Sequence, residues 1–298
     1  ALKSSNPLLL FSGPLALFLK SHMHMSFKRR IKYYFPFFFI GLFFYQIIGV
    51  PLTVSLTLIE KTDLISSILF ATIFELFVYA NFCGLSLCIY GLFGMLGFKV
   101  PLNFKQPFSS NNVIEFWRGW HLSLSKVLKV LFYLPIRKNY SAGVALLFVY
   151  LASAMWHGVT LNFLIWGFFH ALMFFITIMM LKRRINYLPT FILFFAIIFG
   201  RLIFAESDTS ILIEKLSFTY VDLSAFNFIL SLPNTTKASL ILVILLVLIE
   251  FLLKKNKYVR KRNYKFLRTP IMLFILILLF ILLARDDIGT NFAIYGQR

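Results

Sequence analysis

The sequence predicts an all-α fold, a polytopic transmembrane helical bundle with interfacial or re-entrant helices, and three observations carry that reading. Hydrophobic residues make up 60% of the 298 and aromatic residues 18%, including 38 Phe, while only 14% are charged. A soluble domain carries about 25% charged residues, so an ordinary soluble enzyme is excluded. Several apolar runs approach or exceed the roughly 18 residues that mark a membrane span. The formal charge of +19 is concentrated between those runs, as Lys28, Arg29, Arg30 and Lys32, as Lys182, Arg183 and Arg184, and from Lys254 to Arg268. Basic clusters so placed read as juxtamembrane cytoplasmic loops under the positive-inside bias, and they argue against nucleic acid as a partner.

A short apolar opening, Leu8 to Leu19, is interrupted by Gly13 and Pro14; the first residue is Ala, and no cleavable signal pattern is evident. The next run extends from about Tyr33 to Ile59, and Glu60 and Asp63 mark its exit. Leu64 to Phe98 is too long for one upright span at about 1.5 Å per residue, so it is expected to tilt strongly or to break near Gly84. Cys83 and Cys88 fall in this run with no further Cys or nearby His, and read as core thiols, not a disulfide framework or a zinc site.

From 101 to 140 the character changes to aromatic and basic residues mixed with polar ones, with too many charges to cross lipid alone. Asn111 or Asn112 can cap a helix from near Val113, and Ile114, Trp117, Trp120 and Leu124 recur at spacings of three to four, giving it one apolar face. An interfacial or re-entrant helix fits, since partly polar backbone at membrane depth survives only beside protein or a water-filled cavity. Apolar runs then follow at Ala142 to Trp156, Leu161 to Leu181 and Leu188 to Ala205. After a polar interval with Glu206, Asp208, Glu214 and Asp222, two last runs span about Ala238 to Phe251 and Ile271 to Ala284. Alternate crossings put the basic loops 182 to 187 and 254 to 268 in the cytoplasm, and the interval 206 to 236 and the C-terminus outside. With no internal repeat or low-complexity linker, residues 1 to 298 read as a single membrane-embedded domain of roughly seven to nine membrane segments.

Histidine is the residue type most able to carry chemistry here. His22 and His24, in SHMHM, would point apart on a helix, and read as an interfacial pair, not a metal site. His157 lies between two apolar runs in SAMWHGVT, where an ionisable side chain is costly and marks a functional site by default. The residues alone leave two readings of it open: a proton-exchanging catalyst shielded by Trp156, or a hydrogen-bonded link within the bundle. His121 lies in FWRGWHLSLS, where Arg118 can hold an anionic group and Trp117 and Trp120 can enclose a flat or sugar-like ligand. The alternative for that stretch is an interfacial aromatic belt with a snorkelling Arg.

FWRGWHLSLS at 116 to 125 and MWHG at 155 to 158 together resemble the paired motifs of the membrane-bound O-acyltransferases. The likeness is to the bacterial branch of alginate O-acetylation and teichoic acid D-alanyl transfer proteins. FSGP at 11 to 14, GFKVPLNFKQPF at 97 to 108, YLPI at 133 to 136, LNFLIWGFFHAL at 161 to 172, RLIFAESD at 201 to 208 and the C-terminal NFAIYGQR extend it. It covers almost the whole chain, but roughly the C-terminal two-thirds of a usual member, so an N-terminal group of helices is expected to be missing. Three departures bear on substrate identity more than on reaction type. Gly119 stands where the alginate branch has a second Arg, no acidic residue occurs near Lys129 and Val130, and Asn81 in ANFCG replaces an Asp.

The resemblance implies that His157 is the catalytic His and His121 its semi-invariant second, both facing a tunnel through the bundle. His170 matches a family position and reads as packing. Trp117, Arg118, Trp120, Trp156 and Asn112 are the expected substrate-binding residues. The implied reaction is transfer of an acyl, most simply acetyl, group from a cytoplasmic thioester donor to a hydroxyl, with His157 as general base. The expected donor is acetyl-CoA, with an acyl carrier protein thioester as the alternative, and no bound cofactor or metal is expected. The expected surroundings are the lipid bilayer of the inner (cytoplasmic) membrane, crossed several times. Implied partners are an exported polysaccharide or cell-envelope polymer, or an extracytoplasmic protein that relays the acyl group. A non-catalytic or degenerate scaffold or transport component of an envelope-modification system is the rival reading; a transporter with two related halves is disfavoured by the lack of a repeat.

Overall fold

The computed structural model describes residues 20–21, 25–58, 64–185, 188–206, 208–215, 225–255 and 277. The opening run Leu8 to Leu19, His22, His24, most of the basic cluster 254 to 268 and nearly all of the run Ile271 to Ala284 lie outside those residues. Apart from a two-residue antiparallel pairing of Lys20–Ser21 with Phe98–Lys99, the regular structure described is helical, so the fold is all-α. Among the described residues, four helices are long and apolar enough to cross a membrane, Phe27–Leu56, Leu64–Leu96, Leu161–Lys182 and Asn234–Leu252, and two shorter apolar helices span Ala142–His157 and Pro189–Ala205.

The first long helix starts at Phe27, ahead of the apolar run, because the basic residues Lys28 to Lys32 form its exposed entry. It comprises α1 (Phe27–Phe43), a π-helical stretch (Phe44–Gly49) and α2 (Val50–Leu58). The widened turn precedes Pro51, which has no N–H to offer the Ile47 carbonyl. Ser239 Oγ donates to Ile47 O at 2.7 Å and Thr236 Oγ1 to Pro51 O at 3.1 Å, so a later helix satisfies the irregular stretch. A second π-helical stretch, Lys129–Tyr133, likewise ends two residues ahead of a proline, Pro135.

Helix α3 (Leu64–Leu96) runs 33 residues without interruption, so the break considered near Gly84 does not occur. Gly84 serves close approach instead. A Cβ on Gly84 would meet Gly41 O and Tyr45 N at 2.8 Å, and one on Gly41 would meet Gly84 O and Cys88 N at 2.5 Å. Small residues thus let the α1 and α3 backbones touch, the usual basis of helix pairing where lipid removes the hydrophobic incentive. Both cysteines on α3 are free thiols.

The 101 to 140 segment is a chain of short pieces: a 3-10 turn Pro107–Ser109, α4 (Val113–Trp117), α5 (Leu122–Leu128), the second π stretch and α6 (Leu134–Asn139). Beyond it come α7 (Ala142–His157), α8 (Leu161–Lys182) and α9 (Leu188–Ala205), with α7 packed on α8, α8 on α9, and α9 on α3. Two short helices, α10 (Thr209–Lys215) and α11 (Ala225–Ser231), occupy part of the polar interval, and α12 (Asn234–Lys255) packs on α2. The main core joins α1 to α3, α8, α9 and α12, and receives Phe104, Phe116 and Trp120 from the connecting segment.

Candidate active site

The first motif is not one helix. The spacing of Ile114, Trp117, Trp120 and Leu124 suits a continuous amphipathic helix, yet α4 ends at Trp117 and α5 restarts at Leu122. A distant backbone segment forces the interruption: Lys105 N donates to Gly119 O at 2.9 Å, and Leu122 N donates to Asn103 O at 2.9 Å. Gly119 permits this splice, because a Cβ there would lie 2.9 Å from Lys105 O. His121 consequently takes a left-handed backbone, with φ of 45°, a conformation that costs a non-glycine residue about 1–3 kcal/mol and is held only where surroundings over-determine it. Asn103 Oδ1 accepts from Ser123 N at 3.2 Å, supplying the cap that His121 itself does not.

The splice aims the His121 ring inward. It is 5% exposed, with its ring centroid 4.7 Å from Phe82 and 5.7 Å from Trp156, and neither ring nitrogen has a hydrogen-bond partner among the described residues. His157 closes α7, and the helix stops there because Gly158 leaves the helical conformation. Aromatic rings surround it: Trp156 and Phe204 at 4.9 Å, Trp166 at 5.8 Å and Phe163 at 6.1 Å. The Trp156 indole, 43% exposed, lies edge-on to both imidazoles and so links them.

Both histidines line one cavity of about 1230 Å³. Trp117, Arg118, Trp120 and Trp156 line the same space, Trp120 through the inner side of an aromatic cluster with Phe104 and Phe116. Asn112 does not. It is buried, and its Oδ1 accepts from Glu115 N at 2.9 Å, so its side chain is the N-cap of α4. Asn81, the residue that departs from the family's Asp, also lines the cavity. His170 sits in the same wall, packed edge-on against Trp117 at 5.2 Å and stacked on Tyr150 at 6.3 Å.

Three polar features of the site were not singled out from the sequence. Arg201 on α9 donates from Nε and Nη2 to Glu75 Oε2 on α3, at 2.6 and 2.5 Å, and both residues line the cavity. Asn103 stands in the sequence only as one letter of GFKVPLNFKQPF. Tyr79 donates to buried Glu250 of α12 directly behind the Trp120 cluster. For Glu75 and Glu250 the available signal was a lone carboxylate inside an apolar run, which is expensive there without a partner.

A cavity with two inward-facing histidines, partly apolar walls and an arginine at its rim can bring a thioester and a hydroxyl together beside a base. Comparison with known proteins agrees with that chemistry. The model of the membrane-bound O-acyltransferase family matches residues 14–205. Over 99 residues, 32% of this chain and 19% of the relative, the chain is 38% identical to the probable alginate O-acetylase AlgI of Pseudomonas syringae. It is 35% identical to the peptidoglycan O-acetyltransferase of Helicobacter pylori over 32% of this chain and 18% of that protein. Against the teichoic acid D-alanyltransferase of Bacillus subtilis it is 26% identical, over 45% of this chain and 38% of that protein. The matched stretches thus span less than half the length of these relatives, while the family match covers more than half of the chain. On that match, the chain belongs to the membrane-bound O-acyltransferase family.

Proposed function

We propose that this protein transfers an acyl group, most simply acetyl, from a thioester to a hydroxyl, with His157 as general base. The observation that carries the reading is the placement of His157 and His121, which lie 36 positions apart in the chain, in the wall of one cavity with Trp156 between them. His157 takes the proton of the acceptor hydroxyl as that oxygen attacks the thioester carbonyl. The tetrahedral intermediate then expels the thiolate, which receives the proton back from His157. A well-placed base contributes about 10²- to 10⁴-fold to such a step. His121, with both ring nitrogens unengaged by described residues, can donate to the developing oxyanion, and aromatic walls exclude water that would hydrolyse the thioester.

Arg118, exposed at the cavity, is placed to hold phosphates of the donor, either acetyl-CoA or an acyl carrier protein thioester. The names of the relatives, which speak of alginate, peptidoglycan and teichoic acid, support an exported polysaccharide or cell-envelope polymer as acceptor. A relay protein that passes the group outward and an inner-membrane location belong to the same reading. The test is incubation of purified protein with radiolabelled acetyl-CoA and candidate polymers. Label moving to a polymer supports the reading; label that stays on coenzyme A with every polymer offered, or that goes only to water, with folded protein, contradicts an acetyl-CoA-dependent transferase.

A further inference from the structure

Among the described residues, no hydrogen bond holds the His157 side chain. A general base is ordinarily oriented by a third group that bonds its second nitrogen. Here packing must set the angle of the ring: two rings stand against it at 4.9 Å, Trp156 from its own helix and Phe204 from α9, and of these Phe204 is the one that another helix supplies.

Phe204 is held from two sides. On one, the Arg201 guanidinium carbon sits 5.0 Å from the Phe204 ring and 5.2 Å from Phe74 of α3, between a ring of each helix. Its Nε and Nη2 both end on Glu75 Oε2, so one ion pair fixes the register of α9 against α3 beside the cavity. On the other, Asn162 Nδ2 donates at 3.4 Å to the carbonyls of Ile203 and Phe204, which lie in the last turn of α9 and have no intrahelical donor of their own. Thr160 Oγ1 donates to Asn162 Oδ1 at 2.6 Å and sets which way the amide faces. Thr160 and Asn162 begin the helix that follows His157, so this second clamp ties the loop after the base to the helix that carries its packing partner.

We propose that Glu75, Arg201 and Asn162 are positioning residues of the acyl transfer, acting through Phe204 on the orientation of the His157 imidazole. The proposal rests on the reading of His157 as the base. A guanidinium balanced by Glu75 also stiffens the contact without placing an uncompensated charge beside an imidazole that gains a proton during the reaction.

The test measures kcat and donor KM for purified wild-type protein and for Phe204→Leu, Phe204→Tyr, Asn162→Ala, Glu75→Gln and His157→Ala, each checked for fold by circular dichroism and gel filtration in detergent. Misplacing a catalytic group by about 1 Å costs about 100-fold. F204L and N162A are therefore expected to lose about 10- to 100-fold in kcat with donor KM changed less than about 3-fold. Phe204→Tyr, which keeps the ring, recovers most of that loss, as mere structural support would not require. Should E75Q fail to fold, F204L and N162A still decide the matter. Wild-type kcat in F204L, or a loss carried by KM, overturns the proposal. If His157→Ala is inactive while F204L is fully active, the base assignment stands and positioning alone falls; activity in His157→Ala removes both.

Discussion

The Asn103 side chain caps a helix twenty residues away, its Oδ1 accepting from Ser123 N at 3.2 Å, while the backbone carbonyl of Asn103 accepts from Leu122 N. These two bonds fix the chain on the C-terminal side of His121, whose strained backbone depends on them. Asn103→Ala removes the cap at a nearly fully buried position, and is expected to cost about 1–2 kcal/mol. Because the cap also aims the His121 ring, activity is expected to fall further than thermal stability, as a melting curve in detergent beside a transfer assay would show.

Gly119 tests the splice from the opposite side. Its substitution by Ala places a methyl group 2.9 Å from the Lys105 carbonyl, a backbone atom that cannot rotate away. Overpacking of this kind costs about 1–3 kcal/mol. Gly119→Arg, which imitates the alginate branch, is expected to be no better tolerated, unless the 103 to 105 segment moves with it. A melting temperature equal to wild type in G119A would show that the segment yields freely.

Behind the motif, Tyr79 satisfies one oxygen of Glu250 while the other has no partner among the described residues. Tyr79→Phe removes the hydroxyl that the buried carboxyl accepts from, at an expected cost of about 1–3 kcal/mol. Adding Glu250→Leu should recover part of that loss, because replacing both partners by apolar groups removes the polar atom that was left unmet. A double-mutant cycle on melting temperature measures the coupling.

The Glu75–Arg201 pair separates stability from activity. Its side chains are 7% and 12% exposed, and removal of one partner of a buried pair costs about 3–5 kcal/mol. Glu75→Met combined with Arg201→Met is expected to return most of that stability, since apolar replacement of both charges is often neutral. Acyl transfer should remain low in the double variant, because the stacked guanidinium over Phe204 is still missing.

Much of the fold was legible because hydrophobicity alone places long apolar helices. The runs Ala142 to Trp156, Leu161 to Leu181 and Leu188 to Ala205 correspond to α7, α8 and α9 within a residue at each end. The interruption at 118 to 121 was not legible, since Ile114, Trp117, Trp120 and Leu124 keep helical spacing across it, and the cause lies in Asn103 and Lys105. Gly84 looked like a helix breaker, and became instead the place where α1 touches α3, a tertiary role that a single run of letters does not distinguish. In the candidate site, His157 stands out as an ionisable group between apolar runs, and His121 by its place in the Trp- and Arg-rich FWRGWHLSLS. Asn112 did not separate into cap or ligand, because the same side chain suits both until its partner, Glu115 N, is seen. The Glu75–Arg201 pair joins residues 126 positions apart, and nothing in either neighbourhood names the other.

The role of His157 as base is measured most directly by the acyl-transfer rate of purified His157→Ala in lipid vesicles, compared with wild type and His121→Ala at matched insertion and folding. With His157 as the base, H157A loses about 100-fold or more, and H121A loses less, since His121 orients or stabilises and does not move the proton. Transfer by well-folded H157A at the wild-type rate would contradict that role, and would return His157 to a residue that merely packs the end of its helix.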